Sequence, residues 1–401
     1  MSATLIDIVV PVYQGLEATR RCIESVRAGN CVTPFELVVV DDASPEPALS
    51  AWLAELAAAG RINLYRNPEN LGFVATVNRA MALHPERDAV LLNSDTEVAG
   101  DWLDRLAACV AADPAIGTAT PFSNNGSICS YPNALAANEL PAGTNLAELD
   151  ALFARVNAGQ CRDLPTGVGF CFYIRRACWQ AVGEFDAGRF GRGYGEECDF
   201  SLRAAKAGWR NVLCADVFVY HQGSVSFGAE RESLMASAET VMAELHPDYP
   251  ALVMTFLRAD PLRTLRDNVT RARQSLAGDT TVMDELIAER ETRMGWLTDR
   301  LVEAEQQAAA MRTALAEAAQ AEAAQAGAAG CSPDGQSTES RADGTVHCAA
   351  AVDAPYGRVL TEFLAVTEVR VRRTPRLGKA GRGCALAALG AVRWLARRLG
   401  D

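Results

Sequence analysis

Short apolar runs that stop at acids, amides or proline alternate with stretches of helical spacing through the first hundred residues. Leu5–Tyr13 reads as a strand closed near Pro11, because proline cannot donate to a sheet ladder. Glu17–Ala28 keeps Cys22, Ile23 and Val26 on one face and stops at Gly29, which is a helix pattern. Phe35–Val40 is a second strand ending in Asp41-Asp42-Ala43-Ser44-Pro45, and Leu49–Ala59 a second helix before Gly60. Ile62–Tyr65 is a short strand, Arg66–Gly72 a loop and Phe73–Leu83 a helix. Ala89–Leu92 then runs into Asn93-Ser94-Asp95. Apolar runs without polar alternation fit buried parallel strands, and the strand–helix order predicts an α/β, doubly wound, mostly parallel sheet. Ligands bind such sheets at the carboxyl ends of the strands. Here those ends carry Asp41, Asp42 and Asp95.

Asp101–Ala112 continues the pattern as a helix. Gly117–Ala142, dense in Ser, Asn, Pro and Gly, reads as loop. Leu146–Asn157 is helical, and Leu164–Ile174 is a strand whose glycines allow close backbone approach. A glycine-rich loop, Gly188–Gly195, leads to Glu196-Glu197-Cys198-Asp199, which opens a helix over Phe200–Ala207. Val212–Cys214 and Val217–Tyr220 are strands that end at His221. Beyond Gly228 the chain turns helical, with breaks at His246–Pro250 and Pro261. The segments predicted are a catalytic domain over 1–228, a helical extension over 229–280, a long helix or coiled coil over 281–326, a flexible linker over 327–355 and a basic amphipathic tail over 356–401.

Charge narrows the partners. The chain has 38 basic and 50 acidic residues, net −12, which argues against a nucleic-acid binder. Tyr356–Asp401 holds ten Lys/Arg against three Asp/Glu, net +7, leaving −19 on the rest. That asymmetry suits contact of the tail with an anionic membrane surface. The twelve cysteines include no CxxC pair, and the first residues lack a secretory pattern. Reduced, buried thiols and a cytoplasmic protein, peripheral at the inner face of the membrane, are the expectation. Self-association or partner binding is expected of the helix at Asp284–Gln325.

The candidate chemistry lies in three features that follow one another: strand-end acids, a carboxylate pair at a helix start and a strand-end histidine. There is no Gly-x-Gly-x-x-Gly after the first strand and no Walker-type loop, so phosphate must be met otherwise. An Asp at a strand end can hold a hard divalent cation that also holds phosphate.

In Ile8–Tyr13, Val39–Ser44, Asn67–Asn78 (NPENLGFVATVN), Leu91–Thr96 (LLNSDT), Pro121–Gly126 (PFSNNG), Gly193–Asp199 (GYGEECD) and His221, the chain resembles the family 2 inverting glycosyltransferases of the GT-A fold, in particular rhamnosyltransferase-like bacterial members. The resemblance implies that Pro11, Val12, Tyr13 and Glu17 line a base and ribose pocket. One of Asp41 and Asp42 would accept from the imide N–H of uracil or thymine, and Asn70, Gly72 and Asn78 would shape the diphosphate side. Asn93-Ser94-Asp95 stands where the family has Asp-x-Asp. Asp95 would bind Mg²⁺ or Mn²⁺, with His221 and the weaker Asn93 as further ligands. Glu197 would be the general base, with Glu196 and Asp199 as alternatives.

The implied reaction moves a sugar from a UDP- or dTDP-type donor to a hydroxyl of a glycan or lipid-linked glycan. A catalytically weak module that only binds sugar nucleotide or glycan is the alternative. A sugar nucleotidyltransferase is set aside, because Gln14-Gly15-Leu16-Glu17 is not a basic, glycine-rich triphosphate loop.

Overall fold

Strand β1 (Ile6–Val12) sends Ile6, Ile8, Val10 and Val12 to one face of the sheet and Val9 to the other, and both sets are buried. Each fully buried aliphatic side chain contributes about 1.5–3 kcal/mol, so a strand covered on both faces is held firmly at the centre. Around it the computed structural model builds nine strands among the described residues, in the order β3-β2-β1-β4-β8-β6-β9-β5, with β7 also pairing β9. The strands are β2 (Phe35–Asp41), β3 (Asn63–Arg66), β4 (Ala89–Leu92), β5 (Thr96–Glu97), β6 (Ile116–Ser123), β7 (Cys161–Asp163), β8 (Cys171–Ile174) and β9 (Arg210–His221). One apolar layer packs α1 (Leu16–Ala28), α2 (Pro47–Ala58) and α4 (Trp102–Ala111) on the sheet. The other packs α3 (Phe73–Met81), α6 (Arg176–Val182), the short α7 (Ala187–Phe190) and α8 (Glu196–Lys206). A third cluster lies under α5 (Leu146–Val156), where Phe122, Phe153, Tyr131 and Phe218 meet.

The structure describes residues 5–277 except 142 and 224–230, together with the helical positions Glu291, Gly295, Thr298 and Val302. Chain contacts divide the protein into Met1–Leu315 and Ala316–Asp401, and all of these strands and helices belong to the first unit. Apart from those four positions, the expected helix over 281–326 lies outside the described residues, as do the linker over 327–355 and the tail over 356–401. No described helix is long and apolar enough to cross a membrane.

The sheet is mixed. β3, β2, β1 and β4 run parallel, β8 is antiparallel to both β4 and β6, and β9 is parallel to β6. The carboxyl ends of β1, β2, β4, β6 and β9 therefore share one edge with the start of β8.

Three expectations change. Gly117–Ala142 is not all loop, because Ile116–Ser123 is a wholly buried strand between β8 and β9. Its Pro121 pairs Cys214 while Phe122 pairs Phe218, so Ala215-Asp216-Val217 bulge out of β9 where Pro121 has no N–H to give. For the same reason Val212–Cys214 and Val217–Tyr220 are one strand rather than two. Leu164–Ile174 contributes only Cys171–Ile174 as strand, and Arg176–Val182 is an additional helix.

The helical extension comprises α9 (Arg231–Leu245), α10 (Tyr249–Ala259) and α11 (Arg263–Ala277). At the corner between α9 and α10, His246 Nε2 donates to Asp199 Oδ1 on α8 at 2.8 Å, and Lys206 Nζ donates to its Nδ1 at 3.2 Å. Arg203 Nε donates to Asp199 Oδ2 at 2.8 Å. Both His246 and Asp199 are buried. Removing one partner of a buried pair strands the other, so His246→Ala is expected to lower the unfolding free energy by about 3 kcal/mol in a denaturant titration.

Candidate active site

A cleft of about 250 Å³ opens at the shared carboxyl edge. Of the sequence-predicted residues, Pro11, Val12, Tyr13, Asp42, Asn70, Gly72, Asn93, Ser94, Asp95, Glu196, Glu197 and His221 line it. Four others are placed elsewhere. Glu17 is exposed on α1 and pairs with Arg20 at 3.9 Å. Asp41 accepts from Ser44 N–H and the Ser50 hydroxyl, both at 2.8 Å, and so fixes the turn after β2. Asn78 exchanges hydrogen bonds with the Phe185 backbone at 2.8 and 3.1 Å. Asp199 is committed to Arg203 and His246 behind α8.

Asp42 acts as a clamp. Its Oδ1 accepts from Asn67 Nδ2 at 2.7 Å and Leu71 N–H at 2.8 Å, and its Oδ2 from Gly72 N–H at 2.9 Å. The carboxylate thus folds the Asn67–Gly72 loop against the cleft. Gly72 has φ +80°, and a Cβ there would stand 2.8 Å from Arg192 Cα. Phe73 N–H donates to the Arg192 carbonyl at 3.0 Å, which ties the glycine-rich loop over the same end of the cleft. The α1 N-terminus offers no anion site, since Glu46 already takes the Gly15 and Leu16 N–H groups at 2.9 and 3.2 Å.

Pairing of β5 with β9 sets Thr96 opposite His221 and brings Asp95 Oδ1 to 3.4 Å from His221 Nε2. The His221 ring stacks on Phe170 at 5.5 Å. Its Nδ1 lies 2.7 Å from the Asn125 carbonyl, which can only accept. That bond puts a proton on Nδ1, so the neutral ring turns its Nε2 lone pair toward a carboxylate oxygen. Two acceptors so placed suit a cation between them. A histidine that gives its other N–H to a backbone carbonyl is also the usual outer support of a metal ligand. The donor set fits Mg²⁺ or Mn²⁺.

A second group, Asp7, Glu36 and His84, gathers ligand atoms within 4.8 Å of one another. It sits at the amino end of β1 and β2, the opposite edge of the sheet. The Arg87 guanidinium donates to both Asp7 and Glu36, so that group already holds its cation.

Glu196 and Glu197 start α8 after Gly195, whose φ is +88°. The Oε2 atom of each is buried without a hydrogen-bond partner. Burial first, then the charge of Glu197, pushes the Glu196 carboxyl well above the usual glutamate range. Burial also raises Glu197, but backbone N–H groups, including that of Gly169, hold it down. Of the pair, Glu196 is therefore held to its proton more tightly and Glu197 ionises first.

Residues 7–180 match the family model described as Glycosyl transferase family 2. The chain carries a glycosyl transferase family 2 domain. The matched domain, an α/β unit, is that of a glycosyltransferase. The matched segment supplies Asp42, Asn93, Asp95 and Asn125, whereas Glu196, Glu197 and His221 come from beyond it and line the same cleft. An uncharacterized protein of Sinorhizobium fredii is 27% identical over 233 residues, 56% of this chain and 25% of that protein. Uncharacterized proteins of Mycobacterium bovis and Mycobacterium tuberculosis are 34% identical over 85 residues, 20% of this chain and 33% of theirs. The chain thus spans a quarter to a third of the curated relatives it matches. Among solved structures, GalNAc-T7 with UDP, GalNAc and Mn²⁺ is similar at 18% identity and a TM-score of 0.44, over 55% of this chain and 45% of that one. The mannosyltransferase PcManGT of Pyrobaculum calidifontis with GDP-Man and Mn²⁺ is similar at 15% identity and 0.41, over 73% and 83%.

Sequence reasoning assigns no role to Phe170, Asn125, Arg192 and Tyr194 in this family 2 site, yet all four line the cleft. Asn125 lies within the Pro121–Gly126 motif, and only the His221 contact shows its part. Folding is expected to report the Glu196 proton. Glu196 keeps it to a higher pH folded than unfolded, so stability falls as pH rises from the ordinary glutamate pKa to the raised one. Glu196→Gln should raise the Tm by on the order of 3 °C at pH 8 and leave it nearly unchanged near pH 4 in calorimetric scans.

Proposed function

We propose that the chain transfers a sugar from a nucleoside diphosphate sugar, of UDP or dTDP type, to an acceptor hydroxyl with inversion. The observation that carries this reading is the convergence of a metal-fitting Asp95–His221 pair and an ionisable Glu197 on one cleft at the carboxyl edge.

Pro11, Val12 and Tyr13 would hold the base and ribose, beside a loop fixed by Asp42. Asn70, Gly72 and Arg192 would face the diphosphate. Asp95, His221 and Asn93 would hold Mg²⁺ or Mn²⁺, which when bound neutralises charge developing on the departing diphosphate. Asn93 is neutral and adds a weak ligand. Glu197 would accept the proton of the attacking hydroxyl at its unpartnered Oε2, and its raised pKa suits a base working near neutrality. Inversion then needs no protein nucleophile. Neutral Glu196 would spare Glu197 a second charge. A growing surface glycan or a lipid-linked glycan is the acceptor we favour, with the basic tail meeting the membrane.

A thermal-shift screen of nucleotide sugars with and without Mn²⁺ identifies the donor, since ligand binding raises Tm. With that donor, Glu197→Gln should cost a factor of about 10²–10⁴ in kcat while donor binding persists. The wild-type rate should fall as pH drops through a pKa above that of a free glutamate. Asp95→Ala should abolish the Mn²⁺ dependence of donor binding. Full donor binding with no transfer and no donor hydrolysis by the wild type would sink the enzyme reading and favour the binding-module alternative.

A further inference from the structure

Three thiols meet on the sheet outside the cleft. Cys161 on β7 stands opposite Cys214 on β9. In the same ladder Ala215 N–H donates to the Gln160 carbonyl at 2.9 Å and Leu164 N–H to the Asn211 carbonyl at 2.8 Å. Hydrogen-bonded and non-hydrogen-bonded pairs alternate along antiparallel strands. Cys161 and Cys214 are therefore a non-hydrogen-bonded pair, with Cα atoms about 4.5 Å apart and side chains on one face. Disulfides span Cα separations of about 4.4–6.8 Å. Cys109, from the last turns of α4, packs in the same apolar layer as Cys161 and Cys214.

The cluster has a chemical division of labour. Contact with the Cys214 thiol, ahead of other effects, holds Cys109 below the ordinary thiol range. Burial pushes Cys22 up to about 12, and raises Cys31, Cys129, Cys171, Cys178 and Cys198 as well. Cys109 and Cys161 are partly exposed, so a small oxidant can reach them, while Cys214 is buried. Asp216 Oδ1 lies 3.2 Å from Cys214 Sγ, placed to take its proton. Among the described residues three ligand atoms gather within 4.8 Å of one another at Asp7, Glu36 and His84, and these three sulfurs do not. Covalent chemistry is therefore favoured over metal binding. None of the three lines the cleft.

We propose that Cys109, Cys161 and Cys214 form an oxidant-responsive thiol site in which a hydroperoxide drives closure of a disulfide on Cys214. The Cys109 thiolate attacks the peroxide, forming an S–O bond as the O–O bond breaks. The departing oxygen leaves protonated, as water or an alcohol. Cys214 then attacks the sulfenic sulfur, the S–S bond forms, and hydroxide leaves with the Cys214 proton as water. Two thiols lose two electrons, and the hydroperoxide gains them. Cys161 can next attack the Cys214 sulfur, moving the disulfide to the cross-strand pair and releasing the Cys109 thiolate.

The test treats the reduced full chain with hydrogen peroxide, alkylates remaining thiols in denaturant and maps the peptides by mass spectrometry. The expected product joins Cys214 to Cys109 or Cys161, is lighter by two hydrogens and is reversed by dithiothreitol. Cys214→Ser should lose the link and leave Cys109 reactive with dimedone after peroxide. Should that buried variant fail to fold, Cys109→Ser, at a partly exposed position, should slow peroxide-dependent linkage at least tenfold. Equal alkylation of all three thiols with and without peroxide, or undiminished linkage in Cys109→Ser, would overturn the proposal.

Discussion

The register of β9 is the constraint on which the site depends. Thr96 must stand opposite His221 for Asp95 and the imidazole to face one another. That register is set on the other side of the strand, where β9 pairs β6 for most of its length. The pairing shifts twice, between Ile116 and Thr118 and again between Cys214 and Phe218, where a three-residue bulge stands opposite Pro121. Since each step along a strand reverses the face a side chain takes, a bulge of the wrong length would turn His221 away from Asp95. Phe170 behind the ring and the Asn125 carbonyl at Nδ1 then remove its remaining rotation. The proline that looks hostile to a central strand is thus built into the alignment of the two groups that fit a cation.

Carboxylates at the cleft have unlike tasks because their surroundings differ. Asp42 has three donors and is spent on holding a loop. Asp95 has the edge of an imidazole. Glu196 and Glu197 have burial and each other, and Glu197 has more backbone N–H donors than Glu196. Two ionised carboxylates side by side in a dry pocket are costly, so one proton stays, and it stays where the donors are fewer. Sequence order alone treats Glu196, Glu197 and Asp199 as equals. Helix geometry separates them, because Asp199, two positions after Glu197, turns to the face where His246 and Arg203 wait.

The amino-terminal half was legible because its periodicity is plain. Buried parallel strands such as Val38-Val39-Val40 and Ala89–Leu92 are continuous apolar runs, and their ends announced Asp42 and Asp95. β6 was not legible, since Gly117, Thr118, Thr120 and Pro121 carry loop chemistry and the strand is held by neighbours on both sides. The division of Asp41 from Asp42 was also beyond the sequence: adjacent strand residues face opposite ways, and only the turn shows which one looks into the cleft. Glu17 and Asn78 belong to motifs by order, but one points to solvent and the other to a backbone far along the chain. Arg192, Tyr194 and Phe170 reach the cleft through loop closure, which leaves no periodic trace.

The same strand carries a second kind of chemistry for a reason that follows from its length. β9 is 12 residues long and crosses the whole sheet, so its carboxyl end lies at the cleft while Cys214 lies deeper, among α4 and β7. The bulge separates the two regions, and Asp216 within it takes the Cys214 thiol and the Gly159 N–H, while its carbonyl takes Arg105 from α4. Arg105 also grips Asp150 on α5. A covalent bond at Cys214 would therefore act on a node that already ties α4, α5 and β7 to the strand ending in His221. Any strain it introduced would fall first on Asp216 and be carried along a mostly buried strand rather than lost in a loop.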